Sequence, residues 1–407
     1  MLFRSVFAGT TLLNFFSLLY QLLIAHKLPV ADFAAFNSLI AIFTMASAPL
    51  YTLQVAVTKY VSEFNAQGRG LMLRGWLSGL LRKNILYAGA TLLTAGFLSS
   101  FILDALKIPA ASCGYILALL LAVNWFFPVF AGAVQGLERF GWYSGVSVAG
   151  GILKLGLAAL LIALGYSAQG ALGALLAANA VTVLILCVPL RPFLSFGEKG
   201  VFRYRDVFSY LVPVALSYFC FMALVSTDMI MVRYFFSEND SGFYSLAQII
   251  GKIFLFLPGA VSMVMFPRTS SLKAQNRDTR STLNRSLRYV FWLCVAAGIV
   301  YNLFPARIFT VLAGKVYPES IILGRFFAVS MSFYTLAYVV IAYFLSIKET
   351  RFVRFLMAST VIQVAAFAVF HRSLMHIQLI MCVNAAGLFT VLMALLGRKG
   401  PPGAQEA

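Results

Sequence analysis

Four ionisable side chains fall deep inside long apolar runs: Lys154, Asp228, Lys252 and Arg325. A charge near the centre of a bilayer costs at least ~2.5–3.5 kcal/mol on insertion scales, so such residues face a cavity or a partner and mark pathways. Lys154 has no acid at comparable depth in its own half of the chain; the nearest, Glu138, follows the fourth apolar run. The amides Asn14, Asn124 and Asn179 sit near the middles of their own runs. A cation and amides at one depth suit a polar, anionic, hydroxyl-rich ligand. Lys252 has two readings: a second ligand cation, or the partner of Asp228 in a buried salt bridge, with the asparagines knitting helices together. Arg325 either meets the ligand or snorkels to the outer headgroups. Asp228 follows Ser226 and Thr227, and Thr360, Gln363 and Asn384 lie at mid-depth in later runs. Carboxylate, hydroxyl and amide oxygens of this kind bind hard cations such as sodium. No catalytic group, metal or resident cofactor is expected; Na+ or H+ enters only as a coupling ion.

The elements that must carry these residues follow from composition. The 407 residues are 61% hydrophobic, 15% aromatic and 11% charged, with a mean hydropathy of +0.90, too little charge to coat a water-soluble globule. At roughly 20 apolar residues per spanning helix, the apolar content supplies about twelve spans and excludes a sizeable soluble domain. The runs lie near 4–25, 33–57, 84–103, 114–134, 142–165, 169–190, 209–232, 242–267, 289–306, 320–346, 352–370 and 374–397. Gly242 and Pro258 do not disqualify the eighth, because neighbouring helices satisfy backbone groups freed by glycine and proline in membranes.

Charge placement tests the count. Basic residues cluster in alternate connections, at 59–83, Arg139, 191–205, 268–288, 348–354 and 398–399, while the intervening ones hold only Lys27, Lys107, Arg233, Arg307, Lys315 and Arg372. Positively charged loops stay cytoplasmic, so the N- and C-termini are expected in the cytoplasm and the net charge of +18 calls for no nucleic-acid partner. The stretches 71–83 and 268–288 are long enough to form basic interfacial segments at anionic headgroups, with plain topology determinants as the simpler reading. Cys113, Cys187, Cys220, Cys294 and Cys382 form no CxxC pair and read as packing residues.

The chain repeats itself weakly. Lys27 is followed by Asp32-Phe33 and a run broken at Pro49; Arg233 is followed by Ser241-Gly242-Phe243 and a run broken at Pro258. Copies six helices apart share an orientation, as in transporters with parallel repeats. The expected architecture is all-α, with about twelve transmembrane helices in two six-helix lobes, 1–192 and 207–397. A cytoplasmic linker at 193–206 joins them, and a disordered tail at 398–407 follows. The phosphate loop GxxxxGK[ST] and the HExxH and GxSxG motifs are absent, which argues against an ATP-driven pump, a zinc protease or a serine hydrolase. The Gly132/Gly136 and Gly141/Gly145 pairs have the spacing of close helix contacts.

Tyr60-Val61-Ser62-Glu63, the Gln135-Gly136-Leu137-Glu138-Arg139-Phe140 turn, Ser226-Thr227-Asp228-Met229 with Gly242-Phe243-Tyr244, and Leu312-Ala313-Gly314-Lys315-Val316-Tyr317 after Pro305 carry a resemblance. The chain resembles the Wzx-like oligosaccharide flippases of the multidrug, oligosaccharidyl-lipid and polysaccharide exporter superfamily. Members often carry a longer basic stretch before the first helix, whereas only Met1 to Phe3 precede Arg4, which reads as a shortened start. The resemblance implies two lobes around a cavity and a polyprenyl-diphosphate-linked oligosaccharide as cargo, moved across the cytoplasmic (inner) membrane by alternating access. Lys154, Lys252 and Arg325 would meet the diphosphate, the amides the sugars, and Asp228 would be the coupling carboxylate, aided by Thr227, Gln363 and Asn384. Implied partners are the lipid-linked oligosaccharide, membrane lipids, and the polymerase and glycosyltransferases of polysaccharide assembly. A drug or metabolite antiporter of the same superfamily would call for an acidic cavity, against one clear intramembrane acid and three bases here. A membrane-bound transferase or a scaffold subunit of export are the readings outside transport.

Overall fold

The computed structural model describes residues 2–193, 205–256, 259–275 and 277–397. Among them the secondary structure is helical throughout. The expected linker at 193–206 lies almost wholly outside the described residues, as do Pro258 and the tail at 398–407. The chain divides into two compact units, Met1–Ala215 and Leu216–Ala407.

In the first unit α1 (Leu2–Lys27) is one continuous helix of 26 residues. The second span is two helices, α2 (Val30–Ser47) and α3 (Leu50–Ala66), interrupted at Ala48 and Pro49. Proline has no N–H to donate and clashes with the preceding turn, so the interruption falls where the sequence expected it. The third span, α4 (Gly70–Ala105), runs 36 residues, about 54 Å at 1.5 Å per residue. It therefore absorbs the 71–83 stretch, for which an interfacial segment was the alternative to plain topology determinants. Leu73, Trp76, Leu77 and Leu81 are buried there against Val57, Val61, Phe64 and Val134, so this stretch is packed core and not a separate interfacial helix.

The rest of this unit comprises α5 (Ala111–Val123) and α6 (Phe126–Gly136), broken at Asn124 and Trp125, then α7 (Phe140–Ala163) and α8 (Ala168–Cys187), which ends in a 3-10 turn at Val188–Phe193. Helix α7 packs on α1 and α8, and α3 packs on α6. The second pairing is close because of two glycines. A Cβ on Gly132 would lie 2.6 Å from the Gln54 carbonyl oxygen, and one on Gly136 would lie 2.8 Å from that of Thr58. Gly141 and Gly145, at the same spacing, face open space and play no such part.

In the second unit the seventh span is bent by 41° between α9 (Arg205–Leu224) and α10 (Thr227–Phe235). Helices α11 (Glu238–Phe256) and α12 (Gly259–Ala274) lie where the eighth span is expected, and α13 (Arg280–Leu303) where the ninth is. A short α14 (Pro305–Ala313) occupies part of the expected outer loop, begun by proline at its first position and ended by Gly314 at φ +64°, as helix-end preferences dictate. Helix α15 (Pro318–Ser346) is the centre of this unit, packed against α11, α12, α13 and α17 (Leu374–Gly397); α16 (Phe352–Val369) joins α17. Of α15's most apolar stretch 78% is buried, so side chains on several of its faces meet protein.

One turn recurs in both units. After α6, Glu138 takes φ +60° and the Arg139 N–H reaches back to the Val134 carbonyl at 3.1 Å; after α15, Lys348 takes φ +58° and the Glu349 N–H reaches the Phe344 carbonyl at 2.9 Å. These left-handed closures satisfy carbonyls that a helix end leaves open. They lie 210 residues apart at corresponding places in the repeat.

Nine of the described helices are long and apolar enough to cross a membrane, and the α9–α10 pair makes a tenth. Along α4 the side chains of Leu86, Leu93, Phe97 and Phe101 are more than two-thirds exposed. An apolar stripe of that kind is a liability in water and the expected surface in lipid. The chain is a multi-pass membrane protein.

Candidate functional site

In the first unit the site begins at Lys154, midway along α7. Its ammonium donates to Ser17 Oγ at 3.0 Å and stands 4.8 Å from the centre of the Tyr20 ring. Ser17 and Tyr20, three apart on α1, present one face to it. Tyr20 is fixed in turn by its hydroxyl, which donates to the Ala171 carbonyl on α8 at 2.8 Å. Among the described residues no carboxylate lies within 4 Å of Lys154. A half-buried ammonium is thus held by a hydroxyl and the negative face of a ring and keeps its charge uncompensated.

Lys154 and Asn179 line one cavity of about 110 Å³ together with Leu13, Phe127 and Thr182. Gly150 and Gly151 shape it: a Cβ on Gly150 would strike the Thr182 hydroxyl, and one on Gly151 would lie 3.1 Å from Phe16 Cβ. The space suits a few waters or one phosphate group and falls short of the 300–1,000 Å³ typical of larger ligands. Asn124 is not brought to it. Its amide donates to Ser47 Oγ at 2.8 Å, tying the break in the fourth span to the end of α2. Asn14, one turn before Ser17, is exposed and outside the cavity lining.

In the second unit Asp228 is fully buried in the first turn of α10. Its carboxylate accepts from the Tyr244 hydroxyl at 2.9 Å and from the Gln248 amide at 3.2 Å. Lys252 continues the same face of α11 one turn further and is near enough to act on Asp228 electrostatically. Thr227 donates to the Ala223 carbonyl at 2.8 Å.

Gln363 and Asn384 form a second cluster. The Gln363 amide donates to the Leu224 carbonyl at 2.8 Å, at the break between α9 and α10. Its oxygen accepts from the Asn384 amide at 2.7 Å and from the Tyr334 hydroxyl. Asn384 also accepts from Ser359 at 3.0 Å, and Thr360 caps the Leu356 carbonyl of its own helix. The four residues read as an ion site thus attach to one bend, with Asp228 and Thr227 on its far side and Gln363 and Asn384 gripping its near side. Arg325 stands apart, exposed in a groove of about 240 Å³ lined by Phe254, Phe291, Cys294 and Asn302.

Sequence reasoning missed Tyr244, Gln248, Tyr334 and Gln378. Tyr244, Gln248 and Lys252 recur every four residues, a polar stripe on an apolar helix that helical periodicity could have exposed. Gln378 is fully buried beside the Tyr244 hydroxyl.

Residues 82–322, more than half of the chain, match a family described as polysaccharide biosynthesis protein. The structure is similar to an inward-facing multidrug resistance MATE family transporter of the MOP superfamily, with a TM-score of 0.74 and 15% identity, over 95% of this chain and 94% of that one. It is also similar to the lipid II flippase MurJ in an inward closed conformation, with a TM-score of 0.76 and 12% identity, over 96% of this chain and 87% of that one. At such identities the likeness is one of fold, and it bears out the all-helical exporter-superfamily architecture expected from the sequence. No curated protein matches the chain.

Proposed function

The chain belongs to the polysaccharide biosynthesis protein family, and we propose that it is a flippase that moves a polyprenyl-diphosphate-linked oligosaccharide across the cytoplasmic membrane by alternating access. The observation that carries this reading is Lys154: an ammonium in mid-span, beside a small polar cavity, whose contacts are a hydroxyl and an aromatic ring. An ammonium without a carboxylate partner is costly in a bilayer and favours an anion that comes and goes. One phosphate group matches the size of the cavity, so Lys154 and Asn179 would hold the diphosphate while the sugars and the lipid lie elsewhere. Lys252 and Arg325 would meet the cargo at other stages of the cycle.

Asp228 is the proposed coupling carboxylate for Na+ or H+. The bend at 225–226 and the carboxylate in the following turn support this, since broken membrane helices expose the backbone carbonyls that coordinate coupling ions. Both termini are proposed to be cytoplasmic from the distribution of Lys and Arg. Polymerase and glycosyltransferases would supply and consume the cargo.

The test is flipping of a fluorescent polyprenyl-diphosphate oligosaccharide in proteoliposomes, with and without sodium and proton gradients. Flipping by the wild-type chain, lost in Lys154→Ala and made gradient-independent in Asp228→Asn, is the expected result. Full flipping in Lys154→Ala would remove the diphosphate from this cavity. Export of a cationic drug without flipping would assign the chain to the antiporters.

A further inference from the structure

One sizeable groove has no part in the reading above. It measures about 820 Å³ and lies between α12 and the first turns of α13. Along α12, Val261, Met265 and Arg268 recur at helical spacing; along α13, Ser281, Arg285 and Arg288 do the same, with Tyr289 beside them. The groove therefore grades from a basic, hydroxyl-bearing mouth, where α12 ends and α13 begins, to an apolar interior one to two turns away. Among the described residues of its lining none is acidic. Arg268, Arg285 and Arg288 are exposed, and among the described residues none forms an ion pair.

Neighbouring charges are engaged elsewhere. Asp278 accepts from the backbone N–H groups of Arg280 at 2.9 Å and Ser281 at 3.3 Å, bonds that hold its carboxyl below the usual carboxylate range. Arg280 donates to the Leu396 carbonyl, pinning the start of α13 to the end of α17. What remains is a cluster of guanidinium forks, each able to take phosphate oxygens in pairs, adjoining a surface for hydrocarbon.

We propose that this groove binds an anionic glycerophospholipid of the surrounding bilayer, its phosphate at Arg268, Arg285 and Arg288 and the start of an acyl chain along Val261, Met265 and Tyr289. A free phosphate would use only the mouth and a neutral lipid only the interior; an anionic phospholipid uses both. The site is distinct from the Lys154 cavity and does not depend on the cargo proposed there. Basic pockets between membrane helices are an established way of holding acidic headgroups.

The experiment is lipid retention, read by native mass spectrometry, on the full chain purified from nanodiscs that mix phosphatidylglycerol and phosphatidylcholine equally. The expected result is at least tenfold preference for phosphatidylglycerol, reduced about tenfold in Arg285→Lys/Arg288→Lys. That variant keeps the charge and the membrane topology and loses the paired contacts. Lys348→Ala/Arg351→Ala, which removes two charges from another basic turn, is expected to retain the preference, as is Lys154→Ala. Equal retention of both lipids, or an equal loss in the 348/351 variant, would overturn the site. Displacement of phosphatidylglycerol by polyprenyl diphosphate at equimolar concentration would make the groove a cargo site instead, and full displacement by inorganic pyrophosphate would remove the role of the apolar interior.

Discussion

The two lobes place a charge beside a tyrosine in opposite ways. In the first, a half-buried cation lies over the Tyr20 ring and touches one hydroxyl; in the second, a fully buried anion accepts from the Tyr244 hydroxyl and the Gln248 amide. Tyr20 also meets Phe36 of α2 edge to face, whereas Tyr244 spends its hydroxyl on the carboxylate. The first spans differ as well: α1 is unbroken, whereas its counterpart bends by 41° three residues before Asp228. The first lobe presents its charge to a cavity, and the second seals its charge into hydrogen bonds.

That contrast is open to test. The largest effect is expected for Asp228→Ala, which strands two buried donors and should cost about 2–5 kcal/mol in detergent unfolding, since each unmet buried polar group costs about 1–3 kcal/mol. Stability equal to wild type would mean that the carboxylate is not sealed. Gln363→Ala, which frees the Leu224 carbonyl, should cost about 1–3 kcal/mol on the same ground, read in the same melts. Gly136→Ala should also cost about 1–3 kcal/mol by overpacking, while Gly145→Ala stays within about 0.5 kcal/mol of wild type; equal melting of the two would show that spacing alone governs the glycine contacts. Lys154→Ala should leave stability within about 1 kcal/mol yet slow flipping at least tenfold, a loss of about 1.4 kcal/mol, so a large drop in melting temperature would place Lys154 among structural residues. The smallest effect is expected for Tyr20→Phe, which gives up one hydrogen bond worth about 1 kcal/mol and keeps the ring, so flipping should persist.

Much of the fold was legible because a bilayer imposes length and hydropathy on every span. Periodicity and the alternation of basic loops located the helices, and Pro49 located the break in the second span. The break at 225–226 was not legible, since no proline lies in it or in the turn that follows; that at 124–125 lies four residues before Pro128, which has no N–H to offer the Asn124 carbonyl. Asn84 donates to the Trp125 carbonyl at 2.9 Å, and Gln363 does the same for Leu224. The charged site residues stood out by their cost in lipid, and depth grouped Asn179 with Lys154, with which it lines one cavity. Depth failed for Asn124, because an amide at mid-membrane serves a helix junction as readily as a ligand. Around Trp76 the basic residues allowed a surface segment as the second reading, and its ring instead packs against Tyr60 and Phe64.

The Gln363 amide on the Leu224 carbonyl has a mechanical meaning. Straightening the seventh span would return that carbonyl to the helix ladder and leave the amide unmet, so the bend behaves as a detent, held until something competes for the same oxygen. Because Gln363 is also gripped by Tyr334 and Asn384, the detent engages three further helices at once. A cation drawn to Asp228, one turn along the same span, would press on the whole latch and not on a single side chain.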